Sequence, residues 1–152
     1  MRPLARNVLI WGTPILVIVA GVFFFGDHLL RSFADAYLGK DASIESRLPR
    51  MVEAAREKVG TMVDANTRLD GVRQGSANQM VYEYTILNVP TLRDLNPSAD
   101  LAAVKERIRA RGCEHEYAKF IVRHNVNMLY EYRAVNGERL MEVELTKANC
   151  RL

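Results

Sequence analysis

Hydrophobic and polar positions along this chain follow three different periods. From Val8 to Phe25 there is no alternation, only eighteen consecutive uncharged and mostly apolar residues, and no second such run occurs. From Ile44 to Val63 apolar residues recur every three or four positions. From Val126 to Leu145 they alternate with polar ones. An unbroken run, a period near 3.6 and a period of two predict, in turn, a membrane-spanning helix, an amphipathic helix and half-buried strands.

At 1.5 Å per residue the first run reaches the lower range for crossing ~30 Å of hydrocarbon. Ala34-Asp35-Ala36 resembles a signal cleavage site, but the apolar core of a signal is typically ~7–15 residues, with the cut close behind. Here the run is longer, and Asp27, His28 and Arg31 lie between it and Ala36. A retained transmembrane anchor is therefore expected, with residues 1–39 as anchor and juxtamembrane segment and 40–152 as one globular domain. Arg2 and Arg6 precede the run, while Arg31 beyond it has Asp27 nearby. The positive-inside tendency then places the N terminus in the cytoplasm and exports the domain across a bacterial-type inner membrane.

Ile44, Leu48, Met51, Val52, Ala55, Val59, Met62 and Val63 form one helical stripe. Ser43 or Ser46 is expected to cap this helix, and Pro49 suits its first turn. In the last third of the chain, Asn136-Gly137 between two β-rich runs predicts a two-residue type I′ hairpin. Such a loop pairs residues whose numbers sum to 273: Tyr132 with Met141, Tyr130 with Val143, Met128 with Leu145. Those six share one face, and Glu131, Arg133, Glu142 and Glu144 the other. An earlier hairpin is expected over Thr67–Val89, turning near Gly75–Asn78, with Met80, Tyr82, Tyr84 and Ile86 on one face. Between the hairpins, Asn96-Pro97 reads as a helix start and Gly112 as its stop, and a shorter helix follows over about Glu114–Arg123. The expected fold is α+β: after the anchor, helix, two strands, two helices and two strands, forming an antiparallel sheet with helices packed on one face.

Val81-Tyr82-Glu83-Tyr84 is echoed by Leu129-Tyr130-Glu131-Tyr132, 48 residues later. Alternating aromatic residues suit strands, so the echo alone does not require a duplication. The row Tyr82, Tyr84, Tyr130 and Tyr132 is read as core, with lining of a binding groove as its functional alternative.

The whole chain carries 21 Lys and Arg against 18 Asp and Glu. So near-balanced and interspersed a surface gives no basic stripe, which disfavours nucleic acid as a partner. Lys105, Arg107, Arg109 and Arg111, two residues apart, spread around their helix; contact with anionic headgroups is the functional alternative to a solvated surface. The two cysteines, Cys113 and Cys150, both lie in the domain and are expected to form a disulfide in an oxidising compartment. Cys113-Glu114-His115-Glu116 with His124 is the nearest approach to a metal cluster, but helical spacing turns these ligands apart. No nucleophile elbow, phosphate loop, dinucleotide fingerprint or zinc-protease motif is present. No catalytic residue, metal or cofactor is therefore assigned, and an enzyme is not expected. The reading is a single-pass protein whose extracytoplasmic domain is a non-catalytic interaction module for an envelope protein, of accessory, immunity or exclusion type. The alternative is a small-ligand or lipid-sensing domain at the membrane surface.

Overall fold

The computed structural model describes residues 44–76 and 78–152. The apolar run at 8–25, the anchor segment 1–39 and Ser43 lie outside the described residues. Among the described residues no helix is long and apolar enough to cross a membrane.

Helix α1, Ile44–Arg56, turns Leu48, Met51, Val52 and Ala55 into the core. It ends before its apolar period does. Gly60 adopts φ +87°, a left-handed conformation that glycine reaches without a Cβ clash. Residues 60–63 then run beside the first strand, with Gly60 N–H donating to Leu69 O (2.7 Å), Leu69 N–H to Thr61 O (3.0 Å) and Val63 N–H to Thr67 O (2.9 Å). Val59 and Met62, expected on the helical stripe, are left exposed. The backbone bonds won by covering a strand edge outweigh two more turns of helix.

Strands β1 (Thr67–Gln74) and β2 (Gln79–Ile86) form the first hairpin around the expected turn. A short 3₁₀ turn at Leu92–Asp94 precedes helices α2 (Leu101–Glu114) and α3 (Glu116–Arg123), followed by β3 (Asn127–Arg133), β4 (Arg139–Leu145) and a one-turn helix α4 (Lys147–Cys150). Helix α2 starts later than Asn96-Pro97 suggests. Asp100 is its cap, accepting from Ala103 N–H, while the Asn96 carboxamide closes a local turn onto Ser98 N–H at 2.9 Å. Gly112 does not stop the helix but lies inside it. A Cβ there would come within 2.7 Å of a Leu145 methyl, so glycine lets α2 lie close on β4.

The strand order is β1-β2-β3-β4. Both hairpins are antiparallel, but β2 and β3 pair in parallel, which corrects the expectation of a wholly antiparallel sheet. Between them the chain crosses over through α2 and α3 and re-enters at the end where β2 began, the connection a parallel pair needs. The 48-residue echo is the register of this pair: Tyr82 lies beside Tyr130, Glu83 beside Glu131 and Tyr84 beside Tyr132.

The last hairpin keeps the expected pairs Met128–Leu145, Tyr130–Val143 and Tyr132–Met141, but its turn differs. Only Gly137 has positive φ, +88°. Ala134 N–H bonds Glu138 O (2.8 Å) and Gly137 N–H bonds Ala134 O (2.9 Å), a three-residue loop ending in left-handed glycine. The extra loop residue is taken up by an irregularity after Tyr132, which returns the register to the expected pairs. Leu140 and Met141 are consequently both buried.

The core joins α1, α2 and α3 to one face of the sheet. Leu48, Ile108, Ile121 and Val122 meet Met80, Met128, Tyr132 and Leu145, each almost fully excluded from solvent.

Candidate functional site

The four tyrosines singled out by sequence lie together on the helix-covered face. Tyr84 stacks on Tyr132 with centroids 5.1 Å apart, and Tyr82 meets Tyr130 edge-on at 5.9 Å. A fifth ring joins them from α3, the Tyr117 hydroxyl lying 3.1 Å from that of Tyr82. Tyr82, Tyr130 and Tyr132 are 8%, 4% and 1% exposed, and Tyr84 is half-buried. Burial pushes all five phenols up, Tyr117 to about 12. Desolvation of the charged form is the main cause, and in Tyr117 the hydrogen bond to Tyr82 works against it. The rings act as neutral, interlocked core residues; the Tyr82 and Tyr117 hydroxyls share one bond, and that of Tyr130 donates to Met128 Sδ at 3.9 Å.

The opposite face carries charge. Glu83, Glu131 and Glu142 sit side by side across β2, β3 and β4. Three like charges in a row repel, and arginines answer them: Arg73 bonds both Glu83 and Glu131 at 2.8 Å, Arg133 bonds Glu131 at 2.8 Å, and Arg139 bonds Glu142 at 2.6 Å. The Glu131 side chain is only 5% exposed. Sequence alternation places Glu131, Arg133 and Glu142 on this face. Arg73 escapes it, because its role depends on β1 lying two strands from β3.

The two edges of the sheet differ. The outer side of β1 is closed by residues 60–63 and by Arg56, whose Nε donates to Val72 O at 2.9 Å. On β3, Asn127 N–H points toward β2, bonding Asn78 O at 2.8 Å. Alternation then directs Met128, Tyr130 and Tyr132 toward β4, and Glu142 and Glu144 of β4 outward. The Asn149 carboxamide of α4 takes the Glu144 carbonyl at 2.8 Å. Among the described residues nothing pairs with the outward backbone of Glu142, so the middle of β4 is the open edge. Hydrophobic alternation cannot reveal this, since edge and centre strands read alike.

The C-terminal segment is held beside that edge by three devices. Cys113 and Cys150 form the expected disulfide, with Cα atoms 5.1 Å apart. Arg109 donates to the Asn149 carbonyl, and Thr146 and Asn149 cap α4 reciprocally. With Cys113 in the bridge, the neighbouring His and Glu residues do not converge, and no group of three metal-ligating side chains occurs among the described residues. His124 instead packs on Phe120, centroids 4.4 Å apart, with Nδ1 2.8 Å from the Phe120 carbonyl.

No protein-family model matches the chain, and no curated protein matches its sequence. Solved structures do resemble it in fold. A Pseudomonas aeruginosa protein inferred to be secreted superposes with TM-score 0.59 at 8% identity, over 71% of this chain and 93% of its own. EpsS, a pilotin of the Vibrio vulnificus type 2 secretion system, gives 0.54 at 11%, covering 70% of this chain and 91% of its own. AspS, the type II secretion system pilotin of Vibrio cholerae, gives 0.54 at 9%, over 70% and 92%. The described α+β domain therefore shares its fold with two type II secretion pilotins and with a protein inferred to be secreted, each over nearly its whole length.

Proposed function

We propose that this chain is a non-catalytic accessory protein of the bacterial envelope, tethered to the inner membrane by residues 8–25, whose exported domain binds a protein partner. The observation that carries this reading is the likeness of the domain to two type II secretion pilotins and a secreted protein over more than nine-tenths of their lengths. The disulfide agrees with an oxidising compartment. An assembly role within a secretion apparatus is the analogy that this likeness of fold supports.

The open middle of β4 supports strand addition as the mode of binding. An extended partner segment would bond to the outward Glu142 backbone and extend the sheet by one strand. The test is site-specific photocross-linking in intact cells from Glu144, exposed on the same edge, and, as a control, from Arg68 beside the closed β1 edge. A discrete envelope adduct at Glu144 alone is expected. The Glu142→Pro variant removes an outward N–H that the fold does not use, which an edge strand tolerates. It should fold normally and lose the adduct. An adduct that persists in folded Glu142→Pro, or that forms only at Arg68, sinks strand addition at β4.

A further inference from the structure

The fold sorts charge that the sequence intersperses. The helical segments 44–56, 101–123 and 147–150 carry ten Lys and Arg against five Asp and Glu, while residues 57–100, 124–146 and 151–152 carry seven against ten. Those helices cover one side of the sheet. A domain of net charge +2 is thus divided into a helical layer of +5 and a remainder of −3.

The excess is sharpest where α4 is fastened to α2. The disulfide and the Arg109–Asn149 contact bring Lys147 and Arg151 alongside α2. Arg151 lies near enough to Glu106 to help Arg109 hold that carboxyl below its usual range. Glu106 is already engaged by Arg109. Lys105, Arg107, Arg111, Lys147 and Arg151 are all exposed, on two segments 36 residues apart, between Arg111 and Lys147. Spacing along α2 alone spreads its cations around the helix; the stapled tail adds two more beside them.

We propose that this α2–α4 surface docks on an anionic lipid bilayer, the one in which the chain is tethered. The inference rests on the tethered reading above and adds to it the face turned toward the membrane. Residues 26 to 43 separate the apolar run from α1 and span at most about 60 Å. That exceeds the roughly 30–35 Å diameter of a domain this size, so the tether permits any face to approach. Charge complementarity selects the basic one: clustered Lys and Arg are drawn to anionic headgroups within about a Debye length. The acidic remainder then faces away, and β4 stays accessible at the flank.

The test uses the full chain with vesicles of phosphatidylcholine alone or with three parts in ten phosphatidylglycerol, labelled by a membrane-impermeant amine reagent and read by mass spectrometry. Labelling of Lys105 and Lys147 is expected to fall at least threefold in anionic vesicles at low salt and to recover in 0.5 M salt. Lys58 and Lys119, outside the α2–α4 surface, should change little. An Arg107→Glu/Arg151→Glu variant keeps both reporter lysines and should lose their protection while floating with both vesicle types. Equal labelling in both vesicles, salt-insensitive protection, or protection that appears only when an acidic protein is added overturns the proposal. Flotation separates the two readings: a chain that floats with neither vesicle type refutes the tether, and one that floats without lysine protection refutes only the docking face.

Discussion

At the scale of single residues, hydrogen-bonded burial decides how this domain responds to mutation and to pH. The Tyr82 and Tyr117 hydroxyls share one contact inside the core. Tyr117→Phe leaves the Tyr82 hydroxyl buried without that partner and is expected to cost about 1–3 kcal/mol in urea denaturation. Tyr82→Phe/Tyr117→Phe should cost less than the sum of the single changes, because the orphaned group is gone. The same phenols set an alkaline limit. Their folded pKa values are raised above the unfolded value near 10, that of Tyr117 to about 12. Their neutral forms therefore contribute stability that is fully present below about pH 10 and is lost as pH rises toward 12. Absorbance at 295 nm should show this group of tyrosines ionising together with loss of near-ultraviolet dichroism; ionisation near pH 10 with the fold intact would contradict their burial. On the outer face, Glu131 has two arginine partners. Arg73→Ala or Arg133→Ala alone should cost about 1 kcal/mol, whereas both together should cost about 3–5, as an uncompensated buried carboxylate does. A thermal-melt double-mutant cycle measures the difference.

At the scale of elements, close approach overrides local propensity. Gly112→Ala improves helix propensity by about 1 kcal/mol, yet its methyl would press on Leu145, which is fully buried. Overpacking of that kind costs about 1–3 kcal/mol. The variant is expected to be less stable than the parent, and a higher melting temperature would show that α2 can move off β4. Most elements were legible in sequence because their signal is local. Helix α1 shows its stripe at Leu48, Met51, Val52 and Ala55, and the last hairpin its alternation. Two departures share one cause. Val59 and Met62 kept the helical period but were recruited to cover β1, and Asn136-Gly137 matched a two-residue turn but folded as a three-residue one. In each case a backbone bond to a neighbour outweighed the local preference.

At the scale of the whole molecule, the C-terminal segment is an attached part rather than a layer, and its attachment is covalent. Cys113→Ser/Cys150→Ser opens a loop of separation 37, worth about 4 kcal/mol in the chain-entropy model. Chemical denaturation of the variant should show a loss of about that size, and hydrogen exchange should rise first at the Thr146, Asn149 and Cys150 amides, which are bonded within the tail. Exchange unchanged there would mean that the Asn149 and Arg109 contacts hold the tail unaided. The candidate binding edge was not legible beforehand. Glu142 was assigned correctly to a strand face, but that β4 is terminal depends on β3 pairing with β2 across the crossover, and that β1 is closed depends on residues 56–63 turning back along it.

By itself the sequence determined the periods: the apolar run, the amphipathic helix, the faces of the strands, the pairs summing to 273, and the two cysteines available to pair. These are carried by neighbouring residues, since side-chain direction repeats every 3.6 or every two positions. The tertiary structure alone decided that β2 and β3 run parallel, that Gly112 is a contact rather than a stop, that one sheet edge is open, and that the basic residues gather on the helical side. Each of those depends on which distant segments come to lie side by side, and the crossover that brings them together leaves no period in the chain.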